Sequence, residues 1–359
     1  MPARRVVAFA PGRVNIIGEH TDYNEGLALP FAIEQGVTVA AVVAPGEDAA
    51  AESIEALALD LDERDSFLLP AVSPIHPADG WRAFVRGAVA ELAAAGTALP
   101  GARLEITGDV PQGGGLSSSA ALTVALCLAL LELGAGAGEP PALRVDGIAL
   151  ARLCSRVENE WTGAHTGLLD QIASLCGAPH AALLIDFRSL EVQRVPLEPE
   201  GWRFAVADSG ERHSHASSGY NERRAECASA CRLLGVDSLR EVGAGQLAGL
   251  PAPLQRRARH VVEENERVLA AARAIRERDM PGLAALVNAS HASLRDLYEI
   301  STPAVERTVE GLRAAGAVGA RLIGGGFGGA VLGLFAPGTP LPAGAIEVAP
   351  GAGAHVCAR

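Results

Sequence analysis

The amino-acid sequence predicts a folded protein of mixed α and β structure in two lobes. The chain has 359 residues, more than one hydrophobic core absorbs, because single cores stop growing near roughly 250–300 residues. Strand-like and helical apolar patterns are interleaved along it. Hydrophobic residues make up 49% and charged residues 20%, enough apolar material for buried cores and too little charge for a disordered chain. The division is placed near 190, giving lobes 1–190 and 191–359.

The elements follow in order. Val6 to Ala10 is a short apolar strand ended by Pro11-Gly12, and 27–43 alternates strand-like runs with small residues. Helical spacing of Phe84, Val85, Ala88, Val89 and Leu92 predicts a helix from Trp81 to Ala95, stopped by Gly96. A strand-like ARLEITGDVP, a glycine loop and the apolar ALTVALCLALLEL read as strand, loop and buried helix. Residues 183–197 alternate like a hairpin, and GWRFAVAD at 201–208 is the strand that opens the second lobe. Helical patterns then run over 220–234, 254–278 and 283–297, and ARLIGGGFGGAVLGLF is a Gly-rich turn between two strands. The Gly/Pro/Ala-rich stretches 134–142 and 336–354 are expected to be loops.

Composition excludes several functions. A net charge of −12 leaves no broad basic surface for nucleic acid or anionic lipid, so neither is an expected partner. All 30 members of the Lys+Arg count are Arg. Without Lys, a Walker A loop, a protein-kinase strand Lys and Schiff-base chemistry are all ruled out. Six cysteines form no CxxC pair and are expected to be reduced thiols. The N-terminal MPARRVVAFAPGR lacks the apolar core and cleavage site of a secretory signal. The apolar segment 120–131 is shorter than the ~20 residues of a membrane span. A cytoplasmic monomer is expected.

Two segments carry chemistry. In PQGGGLSSSAAL, three glycines and three serines precede an apolar helix. Glycines let backbone approach a ligand closely, and a helix N-terminus offers unpaired N–H groups to phosphate. A Gly turn with one Ser N-cap would look similar, but capping needs a single hydroxyl. A dinucleotide G-x-G-x-x-G fails because Ser118 stands at the third glycine position. The second segment, PGRVNIIGEHTDYN, packs Arg13, Glu19, His20 and Asp22 into ten residues. Such groups hydrogen-bond several hydroxyls at once, as sugar recognition requires, and the pair Ile16-Ile17 pins the loop against a core.

These two segments, followed by GGGFGG at 324–329, resemble in order the three signature motifs of the galactokinase family, part of the galactose, homoserine, mevalonate and phosphomevalonate kinase superfamily. VENEWTGAHTGLLDQ, SGYNERR and NASHASLRDLYEISTPAVE are similar to further family segments, so the resemblance spans nearly the whole chain. It implies an α+β fold with an N-terminal ribosomal-protein-S5-like lobe, a C-terminal ferredoxin-like lobe and the active site between them. It implies ATP-dependent phosphorylation of galactose at the anomeric hydroxyl, with Mg²⁺. Asp170 is then the general base, and Arg13 the cation that pairs with it and balances charge on the transferring phosphoryl group. Ser119 and Glu158 are Mg²⁺ ligands, and Gly113, Gly114, Gly115, Leu116, Ser117, Ser118 and Ser119 form the ATP cradle. Glu19, His20, Thr21, Asp22, Gly167 and Tyr220 contact the sugar, and Trp81 lies near the adenine. GGGFGG stays open between a tight turn and a ligand contact. Kinases for N-acetylgalactosamine and L-arabinose share these motifs. Non-catalytic galactose sensors of the same family lack residues of the second motif, which is complete here.

Overall fold

The computed structural model describes residues 4–43, 52–69, 80–110, 115–135, 146–163, 166–211 and 216–357. The strands are β1 (Arg5–Asn15), β2 (Leu27–Ala28), β3 (Pro30–Val43), β4 (Ser53–Ala58), β5 (Glu63–Leu68), β6 (Ala102–Gly108), β7 (Ala181–Asp186), β8 (Glu191–Pro196), β9 (Arg203–Asp208), β10 (Ala317–Ile323), β11 (Ala330–Phe335), β12 (Ile346–Val348) and β13 (His355–Val356). The helices are α1 (Trp81–Ala94), α2 (Ser118–Gly134), α3 (Gly147–Arg156), α4 (Leu169–Cys176), α5 (Ala216–Leu234), α6 (Ala252–Arg276), α7 (Met280–Asp296) and α8 (Pro303–Ala314). A single π-helical turn, Val157–Trp161, extends α3.

The first lobe is a six-stranded sheet in the order β13-β1-β3-β6-β4-β5. Helix α2 lies against β1 and β3. From Ala120 to Leu130 every one of its residues is buried, which is why its sequence is apolar all round rather than striped. The second lobe is a four-stranded sheet, β10-β11-β9-β12, with α7 and α8 packed on β10. A third, three-stranded sheet, β2-β7-β8, pairs the short strand between β1 and β3 with the β7–β8 hairpin.

One core cluster joins the lobes. Val14, Ile16 and Ile17 from the first polar segment pack with Val268, Leu283 and Ala330 of the C-terminal half. Ile16 and Ile17 are fully buried, each contributing about 1.5–3 kcal/mol. They anchor the loop that carries Glu19, His20 and Asp22, as the sequence suggested.

The expected loop at 336–354 is corrected in part, since 346–348 forms β12. Its strand character comes from pairing with β9 rather than from propensity. The expected loop 134–142 lies mostly outside the described residues. All six cysteines are free thiols. Among the described residues, no helix is long and apolar enough to cross a membrane.

Candidate active site

The site begins with a kink in β1. Its register against β3 shifts between Pro11 and Arg13, a bulge of the kind that re-aims a side chain. A Cβ on Gly12 would lie 2.5 Å from the Leu116 carbonyl oxygen, so only glycine lets the glycine loop dock here. The Arg13 backbone N–H donates to that same carbonyl at 3.0 Å. The Arg13 guanidinium, 5% exposed, donates through Nε to Asp170 Oδ1 at 2.8 Å and through Nη1 to the Gly115 carbonyl at 2.6 Å. Nη2 reaches the same Asp170 oxygen at 2.7 Å. Asp170 stands in the first turn of α4. That helix is tied to β1 by the buried Ser174 hydroxyl, which donates to the Pro11 carbonyl at 2.8 Å.

Ser117 completes the group in a way its sequence position hides. It is the N-cap residue of α2, yet its hydroxyl caps nothing. With φ at +61°, the left-handed region that ordinary residues avoid, it turns its Oγ outward to donate to Asp170 Oδ2 at 2.5 Å. Both Asp170 oxygens are thus held, one by a cation and one by a hydroxyl. Two segments distant in sequence, β1 and the start of α2, converge on the carboxylate of α4.

Beside it, the Ser119 hydroxyl donates to Glu158 Oε1 at 2.7 Å. The other Glu158 oxygen accepts from Gln171 Nε2 at 2.7 Å and Thr166 Oγ1 at 3.1 Å. Glu158 is 5% exposed, and these three donors are all uncharged. Burial pushes its carboxyl above the usual range, the Asp170 charge adds to that, and the hydrogen bonds oppose it. The π-helical turn brings Glu158 inward; such single-turn distortions recur at functional sites. Among the described residues no three His, Cys, Asp or Glu side chains surround a common point.

The first polar segment forms a second patch. Glu19 Oε1 accepts the Gly324 N–H at 2.9 Å and lies 3.4 Å from Arg321 Nη2. Its carboxyl is raised by burial, against the lowering pull of Arg321 and Arg13. His20 has φ +61°, and its Nδ1 hydrogen-bonds the Tyr23 hydroxyl at 2.8 Å. Its ring packs on Tyr220 and Tyr298, with centroids 5.1 and 4.7 Å away. Burial drops its pKa to about 3, helped by His260, so the ring is neutral at physiological pH. Asp22 is raised to about 7, chiefly by burial, with the Asp170 and Glu19 charges adding and the Tyr23 N–H opposing. A Cβ on Gly167 would stand 1.8 Å from Asp22 Oδ2, so a bare backbone is required there. Burial also raises the Tyr220 hydroxyl. Thr21 differs from its neighbours. Its hydroxyl is buried and bonded to the Gly18 and Leu27 carbonyls at 2.9 and 2.7 Å, which closes the turn.

GGGFGG adopts the tight turn between β10 and β11, with Gly324, Gly326, Phe327, Gly328 and Gly329 all at positive φ. A Cβ on Gly324 would lie 3.9 Å from Gly115 Cα, so this turn abuts the glycine loop. Gly113 and Gly114 lie outside the described residues. Trp81 is placed at the start of α1, where its indole N–H donates to Glu63 at 2.8 Å, and no bond links it to the Asp170 group.

Sequence reasoning missed several groups: Gln171 and Thr166 on Glu158, Tyr298 beneath His20, and the buried ions Arg321 and Glu264. Arg321 was the most visible of these, being the single charged residue in the apolar β10. Glu264 accepts the Gly18 N–H at 3.0 Å, the Ser290 hydroxyl at 2.6 Å and Arg267 Nε at 2.7 Å. Burial alone would raise Glu264, but Arg267, His260 and Arg321 bring it down to about 2.

Comparison with known proteins shows the family. The galactokinase galactose-binding signature matches residues 2–43, the GHMP kinases N terminal domain 83–178 and the GHMP kinases C terminal domain 271–344. A galactokinase of Mycobacterium tuberculosis is 44% identical over 332 residues, covering 90% of this chain and 87% of its own. One from Roseiflexus sp. is 42% identical over 339 residues, covering 92% and 83%. The crystal structure of Lactococcus lactis galactokinase with galactose superposes with a TM-score of 0.86 at 29% identity, covering 98% of this chain and 95% of that one. Methanococcus jannaschii mevalonate kinase, at 18% identity and a TM-score of 0.67 over 98% of this chain and 99% of its own, shares the fold. With a signature match over the first polar segment and relatives at this identity along nine-tenths of its length, the chain belongs to the galactokinase family and is a kinase.

Proposed function

We propose that the protein phosphorylates D-galactose at the anomeric hydroxyl, giving α-D-galactose 1-phosphate and ADP, the step that commits galactose to Leloir metabolism. The observation that carries this reading is a single carboxylate, Asp170, fixed by Arg13 and Ser117 and close enough to Asp22 for their charges to interact. Asp22, Glu19, His20 and Tyr220 supply acceptors and an aromatic face for sugar hydroxyls. Asp170 takes the proton of the anomeric O–H as that oxygen bonds to the γ-phosphorus and the bond to the ADP oxygen breaks. Arg13, always charged, stands where negative charge spreads over the phosphoryl oxygens, the part played by Lys in other kinases. The backbone at Gly115 and the first turn of α2 face the phosphates.

Ser119 and Glu158 suit Mg²⁺. They are oxygen donors 2.7 Å apart, and Glu158 is a buried carboxylate whose hydrogen-bond donors are neutral, which a hard cation would balance. Bound there with ATP, the ion would screen charge between the β- and γ-phosphates. Two protein oxygens are enough, since Mg²⁺ commonly completes its shell with water and phosphate oxygens. The division of the chain near 190, with β13 returning to β1, and a monomeric, cytoplasmic enzyme complete this reading.

A coupled assay of ATP consumption with galactose, N-acetylgalactosamine, L-arabinose and glucose tests it. Glucose differs from galactose only at C4, and a site built for specific hydroxyls discriminates by ~10⁴ or more when one is misplaced. Galactose is expected to be the best substrate and glucose a very poor one, with Asp170→Asn lowering kcat by about 10²–10⁴-fold. Comparable use of glucose and galactose refutes the galactose reading. A preference for one of the other two sugars redirects it.

A further inference from the structure

We propose that Arg321 is a positioning residue for the sugar pocket, fixing Glu19 from beneath through a buried ion pair that bridges the two lobes. Arg321 comes from β10 in the second lobe, and Glu19 from the segment after β1 in the first. The Arg321 side chain is 0% exposed. Its Nη1 donates to the Asn15 carbonyl at 3.1 Å, its Nη2 lies 3.4 Å from Glu19 Oε1, and its Nε and Nη2 have no hydrogen-bond partner. A guanidinium withdrawn from water costs several kcal/mol unless counter-charges offset it. Here they are Glu19 and Glu264. Glu264 is already occupied by Arg267, Ser290 and the Gly18 N–H, which leaves Glu19 as the partner that reaches the sugar patch. One guanidinium therefore ties the backbone of Asn15 and the carboxylate of Glu19 to the strand leading into GGGFGG, whose Gly324 N–H grips the same Glu19 oxygen.

The electrostatics follow from that geometry. Glu19 faces Arg321 on β10, Arg13 on β1, and the Asp22 carboxylate in its own segment. His20 adjoins it, and His260 on α6 meets its carbonyl at 3.2 Å. Arg321 is also sensed by Arg13, Arg267, His20, His260 and His291. Burial pushes the Glu19 carboxyl up and Arg321 is the foremost group opposing it. Without Arg321, Glu19 takes up a proton closer to neutral pH and loses the acceptor-only character of a carboxylate.

The inference rests on the sugar role given to Glu19, and the test separates the two. Galactose affinity is measured by calorimetry from pH 7 to 9.5, with kcat and KM, for wild type, E19Q, R321M, R321K and E19Q/R321M. R321M is expected to weaken galactose binding by about tenfold for each pH unit by which the shifted Glu19 value exceeds the working pH. KM should rise more than kcat falls. The lost affinity should return as pH rises, giving R321M a pH dependence that wild type lacks. R321K, which keeps the charge, should lose affinity without gaining this pH dependence. E19Q/R321M should bind no worse than E19Q. A wild-type pH profile in R321M, or losses in the two single variants that simply multiply in the double, overturns the proposal. If R321M does not fold, a folded E19Q/R321M supports the pairing and an unfolded one overturns it. An E19Q protein that binds galactose normally removes the sugar role of Glu19, and this inference with it.

Discussion

Replacing Asp22 by Asn is expected to stabilise the sugar-free protein at pH 8 and not at pH 4. The Asp22 carboxyl sits at about 7 against an ordinary 3.8, chiefly because it is buried, with Asp170 and Glu19 close by. A shift of about three units corresponds to about 4 kcal/mol. Asp22 keeps partial exposure, and solvent screening reduces that to roughly 1–3 kcal/mol. The sign is fixed by the direction of the shift. Below about pH 4 the carboxyl is protonated in both the folded and unfolded chain, and nothing is lost. Between about 4 and 7 the unfolded chain releases the proton while the folded one retains it, so stability drains away as pH rises. Above 7 the full cost of a desolvated anion is present, and Asn escapes it. Urea unfolding of both proteins from pH 4 to 8.5 reads the difference directly: near zero at pH 4, growing to the stated value by pH 8. A difference that is constant with pH, or a variant less stable at pH 8, refutes the electrostatic account. Asp22→Ala should lower kcat/KM for galactose by the equivalent of about 2–4 kcal/mol, placing Asp22 where stability is given up for recognition.

Two other perturbations separate roles that a sequence pattern merges. Ser117→Ala should remove no helix cap, because its hydroxyl caps nothing, so its cost in unfolding free energy should not exceed the roughly 1 kcal/mol of its one bond to Asp170. The same change should lower kcat by about tenfold through the lost bond to Asp170; a large stability loss with unchanged kcat would assign Ser117 to the helix instead. Ser119→Ala and Glu158→Ala should each raise the Mg²⁺ concentration for half-maximal rate, since each removes one oxygen from the ion's shell. Unchanged Mg²⁺ dependence in both would show that ATP alone carries the metal.

What could be read from the sequence depended on whether a residue's partner was close along the chain. Arg13, Glu19, His20 and Asp22 stood out because they crowd one segment, and Ile16-Ile17 between them signalled a loop fixed to a core, which is where both are buried. The helices α1 and α2 and the β10–β11 hairpin were legible from periodicity and glycines. Arg321 and Glu264 were not, because nothing local shows that β10 and α6 lie beneath a segment more than two hundred residues earlier. A lone Arg in an apolar strand gives only the hint that it has a buried partner. Strand β13 was unreadable for a related reason: its two residues are strand only because they pair with β1.

The remaining failures are local rules broken at the site itself. A serine before a helix should cap it, a histidine or phenylalanine should avoid positive φ, and a helix should keep one pitch. Ser117 at φ +61°, His20 at +61°, Phe327 at +58° and the π-helical turn at Glu158 each depart from those rules, at a cost of order 1–3 kcal/mol for each strained backbone. The departures are accounted for by what they aim: Ser117 Oγ at Asp170, the His20 ring at Tyr220, Glu158 at Ser119. Phe327 ties the turn to the segment between α7 and α8 by donating its N–H to the Ile300 carbonyl at 2.8 Å. A sequence pattern reports what the backbone prefers. These positions are held against that preference by contacts from other elements, so the site residues that propensity describes worst are those whose orientation the proposed chemistry uses most.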